Sequence, residues 1–504
     1  MPAALSFPFD NTYARALPGC YVPCQPENAP APELAFFNPE LAAELGLAPD
    51  AAAPETLAAC FSGNALPAGA EPIAQAYAGH QFGYFSPQLG DGRALLLGEV
   101  IDRDGRRRDI ALKGSGRTPF SRRGDGKAVL GPMLREVLIG EALHALGIPA
   151  TRALAVVRSG QPILRQRPQP GAVLTRIASS HLRVGTFEYF AARGARDKVR
   201  LLADYTLARH APRFQGQPDA CAGLLQQVVA EQAGLVAQWM GVGFIHGVMN
   251  TDNMSLAGES IDFGPCAFME SYAPDTVFSS IDQDGRYAYA NQPGIAQWNL
   301  ARFAETLLPL LAEDQDAALQ RANAAITAFD DEYAARWLAV LRGKLGLARQ
   351  DAGDAAGDRA LAEDWLALLH RHQIDFTLGW HALADSLEQP AALLTRGIAD
   401  PAALGAWLQR WWQRCAAEDA GAGAAHAHAR QARQQRLRQH NPWIIPRNHQ
   451  VEAALDAAEA GDLAPFHRLL AAVRQPTGNT AELAAYAEPA PAGFTASFRT
   501  FCGT

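Results

Sequence analysis

His246-Gly-Val-Met-Asn-Thr-Asp-Asn253 and, shortly after it, Ile261-Asp-Phe-Gly264 are the stretch on which the fold turns. An asparagine on one loop followed by Asp-Phe-Gly on the next is how kinase-like sites supply protein oxygens to a nucleotide-bound metal. Mg²⁺ takes one or two such oxygens and fills the remaining positions with phosphate and water. Asn253 and Asp262 therefore suffice as ligands, and their order and spacing predict a two-lobed, protein-kinase-like α+β fold. One position departs from the pattern. Five residues before Asn253, where a kinase carries its catalytic aspartate, stands Val248. Valine accepts no proton, and the nearby carboxylate able to do so is Asp252, which makes it the candidate general base.

Upstream residues complete a nucleotide site in the expected order. Leu89-Gly-Asp-Gly-Arg93 precedes an apolar strand, Ala94 to Val100. Gly90 and Gly92 leave room for backbone N–H groups to approach phosphate. A second strand, Asp109 to Lys113, follows a tight turn at Asp102-Arg-Asp-Gly105 and ends on a lysine suited to holding phosphates. Pro132 opens a helix that runs to Leu146 and stops at Gly147. It carries Glu136 and Glu141, either of which could orient Lys113; Glu136 is the favoured ion-pair partner. Around Asp125-Gly126, the side chains of Arg117, Arg122, Arg123, Arg176 and Arg183 add more arginines than a kinase normally spends on its phosphates.

The chain has 504 residues, enough for a large catalytic domain with extensions. With 48% hydrophobic and 19% charged residues it belongs with ordinary packed proteins. A net charge of −8 argues against a broad nucleic-acid face. No apolar run reaches membrane-spanning length and Met1 to Pro8 lacks a charged leader pattern, so a cytoplasmic protein is expected. Seven cysteines, an odd and sparse set, point to reduced thiols, and Cys20 and Cys24 lack the second pair that a zinc site requires.

The proline-rich first 35 residues predict an extended wrapping segment. Ala153 to Val157 and Gly171 to Ile177 read as further strands, and Leu224 to Met240, Trp298 to Leu311 and Ala317 to Leu345 as helices. Gln350 to Asp358 and the Ala/Gly/His run Ala416 to Ala429, with His426 and His428, read as linkers or surface insertions. The expected division is an N-terminal extension (1–75), a β-rich lobe (76–175), a helical lobe (176–345) and a helical C-terminal extension (346–504).

Four longer strings carry a resemblance: Tyr77-Ala-Gly-His-Gln-Phe-Gly83, Lys113-Gly-Ser-Gly-Arg-Thr-Pro-Phe-Ser121, His246 to Met254, and Asn441-Pro-Trp-Ile-Ile-Pro-Arg-Asn-His449. With these the chain resembles, along nearly its whole length, the selenoprotein O family of kinase-fold protein adenylyltransferases. The resemblance implies ATP bound in a flipped orientation, AMP transferred to a Ser, Thr or Tyr hydroxyl of a protein, and pyrophosphate released. It implies that Gly90, Gly92, Arg93, Lys113, Asp125, Gly126, Arg176 and Arg183 hold the nucleotide together with Asp262. Asp252 would accept the proton, and Asn253 and Asp262 would bind Mg²⁺ or Mn²⁺. Some members carry selenocysteine near the C-terminus, where this chain has Cys502, a candidate redox thiol. The competing readings are a kinase transferring the γ-phosphoryl group and an inactive, pseudokinase-like ATP-binding scaffold.

Overall fold

The strands on either side of Asp102 form and pair antiparallel, with Ala94 opposite Lys113. Asp102 builds the turn by accepting on Oδ1 from the amides of Asp104 (3.0 Å) and Arg106 (2.8 Å). The computed structural model describes residues 7–47, 52–348, 354–389, 393, 397–420, 426–491 and 493–501. Its first ten strands are β1 (Tyr21–Pro23), β2 (Glu33–Phe37), β3 (Ile73–Gln75), β4 (Gly79–Gln81), β5 (Tyr84–Ser86), β6 (Ala94–Ile101), β7 (Arg107–Lys113), β8 (Ala128–Val129), β9 (Arg152–Leu164) and β10 (Pro168–Ala178). Seven of them run β1-β3-β6-β7-β10-β9-β2 in one antiparallel sheet, with β8 alongside β10. The β4–β5 hairpin stands apart from this sheet. The proline-rich N-terminal segment is largely extended, but it does more than wrap: β1 and β2 are the two ends of the sheet.

The helix read from Pro132 begins two residues earlier, as α1 (Leu130–Ala145), and Gly147 follows it at φ +75°. Nearly every α1 side chain is buried. It lies between β9 and β10 on one side and two late helices on the other, so it needs no polar face. Among the other helices are α2 (Val184–Ala191), α3 (Ala220–Val242), α4 (Gln292–Leu311), α5 (Gln315–Lys344), α6 (Ala355–Arg371), α7 (Phe376–Ser386), α8 (Pro401–Ala420), α9 (His426–His440), α10 (Asn448–Glu459) and α11 (Ala464–Val473). The chain is thus α+β, a mainly N-terminal sheet against a mainly C-terminal body of helices. The Asn441 to His449 string ties the helical body together. Arg447 is fully buried and donates to Glu270 Oε2 (2.7 Å) and Asp375 Oδ2 (2.6 Å), and Asn441 Nδ2 donates to the Lys344 carbonyl (2.9 Å).

Among the described residues, both expected linkers are mostly helical. Residues 349–353 lie outside the described residues, but Asp354 caps α6, accepting from Ala356 N at 3.1 Å. Asp358 is fully buried, gripping Arg342 Nε (2.8 Å) and Arg414 Nε (2.6 Å). Ala416 to Ala420 end α8 and His426 to Ala429 begin α9, with residues 421–425 outside the described set. Polar composition concealed these elements because buried arginine–carboxylate pairs replace the apolar contacts that a linker would lack. Among the described residues no helix is long and apolar enough to cross a membrane. The six described cysteines are free thiols, with Cys20 buried; Cys502 lies outside the described residues.

Candidate active site

Sheet geometry brings the first cluster together. Arg176 on β10 sits opposite Ala111, two residues before Lys113 on β7, so both cations project from one face of the sheet. Glu136 meets them from α1. Lys113 Nζ donates to Glu136 and, at 2.6 Å, to Asp262 Oδ1; Arg176 Nη2 donates to Glu136 Oε2 (2.8 Å) and to Asp262 Oδ1 (2.6 Å). Burial alone would raise both carboxyl groups, but the charges of Arg176 and Lys113 outweigh it and hold Glu136 low and Asp262 well below the usual carboxylate range. Both stay ionised, which is what a metal ligand and its supporting ion pair require. Glu141 belongs elsewhere, binding Arg152 (2.8 Å) and Arg474 (2.7 Å).

A cavity of about 340 Å³ opens beside this cluster, a volume in the range of small-ligand sites. Its far wall is the loop after α3, where Val248, Asn250, Asp252 and Asn253 all face the space. Asp252 lies on a single 3₁₀ turn, Thr251–Asn253, and is 7% exposed. Gln81 Nε2 donates to its Oδ2 at 3.2 Å, whereas Oδ1 is buried with no hydrogen-bond partner. Burial pushes this carboxyl up to about 7, against the pull of Arg183. Such a group exchanges protons near neutrality, as a general base should.

The turn is fixed from behind. The His80 amide donates to Thr251 Oγ1 (2.6 Å), Thr251 Oγ1 donates to Glu188 Oε2 (2.5 Å), and His80 Nδ1 lies 2.5 Å from Glu188 Oε1. Arg183 Nη1 donates to the Asp252 carbonyl at 3.2 Å and stacks over the Tyr77 ring at 4.4 Å. Gly79 allows this close approach, because a Cβ there would lie 2.9 Å from both Cβ and Cγ of Asp252.

Of the residues singled out in the sequence, Gly92, Arg93, Lys113, Glu136, Arg176, Arg183, Asp252, Asn253 and Asp262 line the cavity. Gly90, Asp125 and Gly126 do not. Gly90 takes φ +69° against Phe120, and its amide donates to the Tyr77 carbonyl (3.0 Å), while the Gly92 amide donates back to Gly90 (2.8 Å). Both amides are engaged within the turn that the glycines shape. Asp125 is held by Arg165 (2.7 Å) and caps Lys127 N (2.9 Å). Gly126, at φ +68°, packs against the Gly116–Arg117 backbone. Arg117, Arg122 and Arg123 are exposed on this same loop. The loop is drawn onto the glycine turn by Thr118 Oγ1, which donates to the Asp91 carbonyl at 2.7 Å. Sequence reasoning assigned no role to Tyr77, Gln81, Asp91 or Asn250, all cavity residues. The signal available was the Tyr77 to Gly83 string, quoted above for resemblance alone.

The donor set suits a divalent cation shared with phosphates. Four cationic side chains (Arg93, Lys113, Arg176, Arg183) and four carboxyl groups (Asp91, Glu136, Asp252, Asp262) line the cavity, so its walls cannot by themselves neutralise a triphosphate. Asn253 Nδ2 donates to the Val248 carbonyl (3.1 Å), which commits the amide nitrogen and leaves Oδ1 as the group's acceptor. Among the described residues no three His, Cys, Asp or Glu side chains form a cage for a metal ion.

A family model described as "Protein adenylyltransferase SelO" matches residues 4–474. Three bacterial relatives, each named protein nucleotidyltransferase YdiU, align over almost the full length. The one from Chromobacterium violaceum is 55% identical over 498 residues, covering 97% of this chain and 100% of its own. One from Cereibacter sphaeroides is 56% identical over 501 residues, covering 99% and 100%. One from Rhizobium leguminosarum bv. trifolii is 53% identical over 510 residues, covering 100% and 98%.

Proposed function

Because this chain belongs to the protein adenylyltransferase SelO family, we propose a mechanism in which Asp252 is the general base for AMP transfer to a protein hydroxyl. The chain is an enzyme, a protein nucleotidyltransferase that AMPylates proteins. ATP is the nucleotide, and a Ser, Thr or Tyr hydroxyl is the acceptor. We read the sheet and the helical body as the lobes of a protein-kinase-like fold, with an extension at each end. The Lys113–Glu136 pair and Asp262, where strand, helix and loop converge, support that reading.

The acceptor hydroxyl gives its proton to the Asp252 carboxylate as its oxygen bonds to the α-phosphorus. The bond from that phosphorus to the α,β-bridging oxygen breaks, and pyrophosphate leaves with the electron pair. Arg93, Lys113, Arg176 and Arg183 supply the positive charge against which the phosphates are held and the leaving group is stabilised. Asn253 and Asp262 would hold Mg²⁺ or Mn²⁺, which when bound would supply charge neutralisation and orientation of the phosphates.

The observation that carries this reading is the exchange of roles on one loop: Val248 occupies the kinase base position, and Asp252 lines the cavity, held by Gln81. A base moved along the loop suits a reacting phosphorus moved along the nucleotide. Mass spectrometry of an acceptor protein incubated with enzyme, ATP and Mg²⁺ tests it. A gain of AMP supports transfer, a gain of phosphate alone makes the protein a kinase, and ATP binding without any adduct makes it a scaffold.

A further inference from the structure

The Tyr77 to Gly83 string builds a small hairpin whose inner and outer faces have different work. Phe82 (φ +53°) and Gly83 (φ +85°) form its two-residue turn, the left-handed geometry that tight hairpins require. The turn is pinned from inside, the Phe82 amide donating to Asn250 Oδ1 and Tyr287 Oη, both at 3.1 Å. With the His80 and Gln81 contacts described above, the hairpin is fastened to the catalytic loop along its whole inner strand. It has few apolar contacts to bury on its own account, yet it carries large apolar side chains that it leaves in water.

Register decides where these side chains stand. Gln81 pairs with Tyr84, and His80 with Phe85. Directly opposed residues of an antiparallel pair share a face. Tyr84 is therefore on the face from which Gln81 reaches Asp252, and it is 80% exposed. Phe85, 40% exposed, lies on the other face against His80, with ring centroids 4.9 Å apart. Ile281, 53% exposed, is itself part of the cavity wall. Its loop is joined to the hairpin through Tyr287, whose ring lies 5.1 Å from that of Phe82. An exposed Ile on the wall of a charged cavity, with an exposed Tyr paired to the cavity residue Gln81, is what a nucleotide does not need and a protein partner does.

We infer that Tyr84 and Ile281 form the docking surface for the acceptor protein, which seats an extended segment there with an apolar side chain beside the hydroxyl presented to Asp252. This rests on the AMP-transfer reading, since an acceptor must bring its hydroxyl to Asp252 past this rim. Among the described strands β5 pairs only with β4. Its outer edge thus has main-chain groups to offer an extended segment, the usual way short peptides dock on sheet edges. A tyrosine held on a rigid hairpin gives contact area at little cost in side-chain entropy. The surface recognises local sequence in an unfolded stretch or loop, not a folded epitope.

The test uses two fluorescent peptides that differ only in the residues flanking a single serine, phenylalanine in one and glycine in the other. Their binding is measured by anisotropy on the full chain saturated with Mg²⁺ and a non-hydrolysable ATP analogue. The phenylalanine peptide should bind at least about tenfold more tightly, the return on burying an aromatic ring. Tyr84→Ala and Ile281→Ser should each remove most of that preference, while Tyr84→Phe should keep it. Equal affinities for the two peptides, or a preference surviving in both Tyr84→Ala and Ile281→Ser, would overturn the assignment. Because binding is read without chemistry, the two readings fail separately. Preference without label transfer from ATP strikes the enzymatic reading and leaves the docking surface, and transfer without preference does the reverse.

Discussion

Gln81 Nε2 donates to Asp252 Oδ2 across 171 positions of sequence, and the other carboxylate oxygen, Oδ1, is buried without a partner. The two oxygens thus have different surroundings, one bonded to the hairpin through Gln81 and one packed against Gly79. Replacing Gln81 by Ala should lower kcat by about 10- to 100-fold, since a hydrogen bond to a charged group is worth roughly 1.5–3 kcal/mol. KM for ATP should stay near the wild-type value, because Gln81 touches the base and not the cationic cluster. Steady-state kinetics with varied ATP separates the two; a rise in KM alone would contradict the role.

Gly79 provides a steric test of the same contact. An added methyl would press on Cβ and Cγ of Asp252 at 2.9 Å, closer than Cβ atoms pack. Gly79→Ala should therefore reduce transfer at least about tenfold by displacing the base, as 1 Å shifts at reacting groups do. Nucleotide binding, measured by calorimetry, should be retained.

Removing either carboxylate of the proposed chemistry should have distinct consequences. Asp252→Ala should slow transfer by roughly two to four orders of magnitude, the range for loss of a general base. Asp262→Ala should abolish it, and it should also weaken Mg²⁺-dependent ATP binding. Loss of nucleotide affinity in Asp252→Ala equal to that in Asp262→Ala would contradict the division of roles.

The strands at Ala94 and Asp109 and the α1 helix were legible because their periodicity and end signals are local. Asn253, Asp262 and Lys113 were legible because a motif fixes them relative to one another along the chain. The partnership of Gln81 with Asp252 was not, since nothing in the Tyr77 to Gly83 string shows that its hairpin will lie against a loop far downstream. The Gln350 to Asp358 segment misled for a similar reason: Asp358 is buried only because Arg342 and Arg414 arrive from other helices. For Gly90 and Gly92, spacing along the chain is only part of the picture. Their spacing suits phosphate contact, but the Tyr77 carbonyl and the folded-down 114–127 loop take up the turn they make.

Stability should carry a pH signature from Lys344, which is 2% exposed and packed over the rings of Phe376 (5.4 Å) and Trp380 (4.9 Å). Burial lowers its ammonium group from 10.5 to about 7. Between these values the unfolded chain binds the proton and the folded chain does not, so this residue makes stability rise with pH across that window. At and below pH 7 the full cost of the buried site is present. Lys344→Met should therefore stabilise the protein most at neutral pH and below, on the order of a few kcal/mol. The advantage should shrink toward pH 10. Denaturant melts of both proteins at pH 7 and pH 10 check it, and a difference that grows with pH would contradict it.

The account stands or falls on which phosphorus is attacked. Wild-type protein and Asp252→Ala are incubated with an acceptor protein and Mg²⁺ or Mn²⁺, with ATP labelled at the α-phosphate in one series and at the γ-phosphate in the other. The prediction is that wild type labels the acceptor from the α-position only, and that Asp252→Ala loses nearly all of that signal. Label arriving from the γ-position, or α-label undiminished in Asp252→Ala, would contradict it.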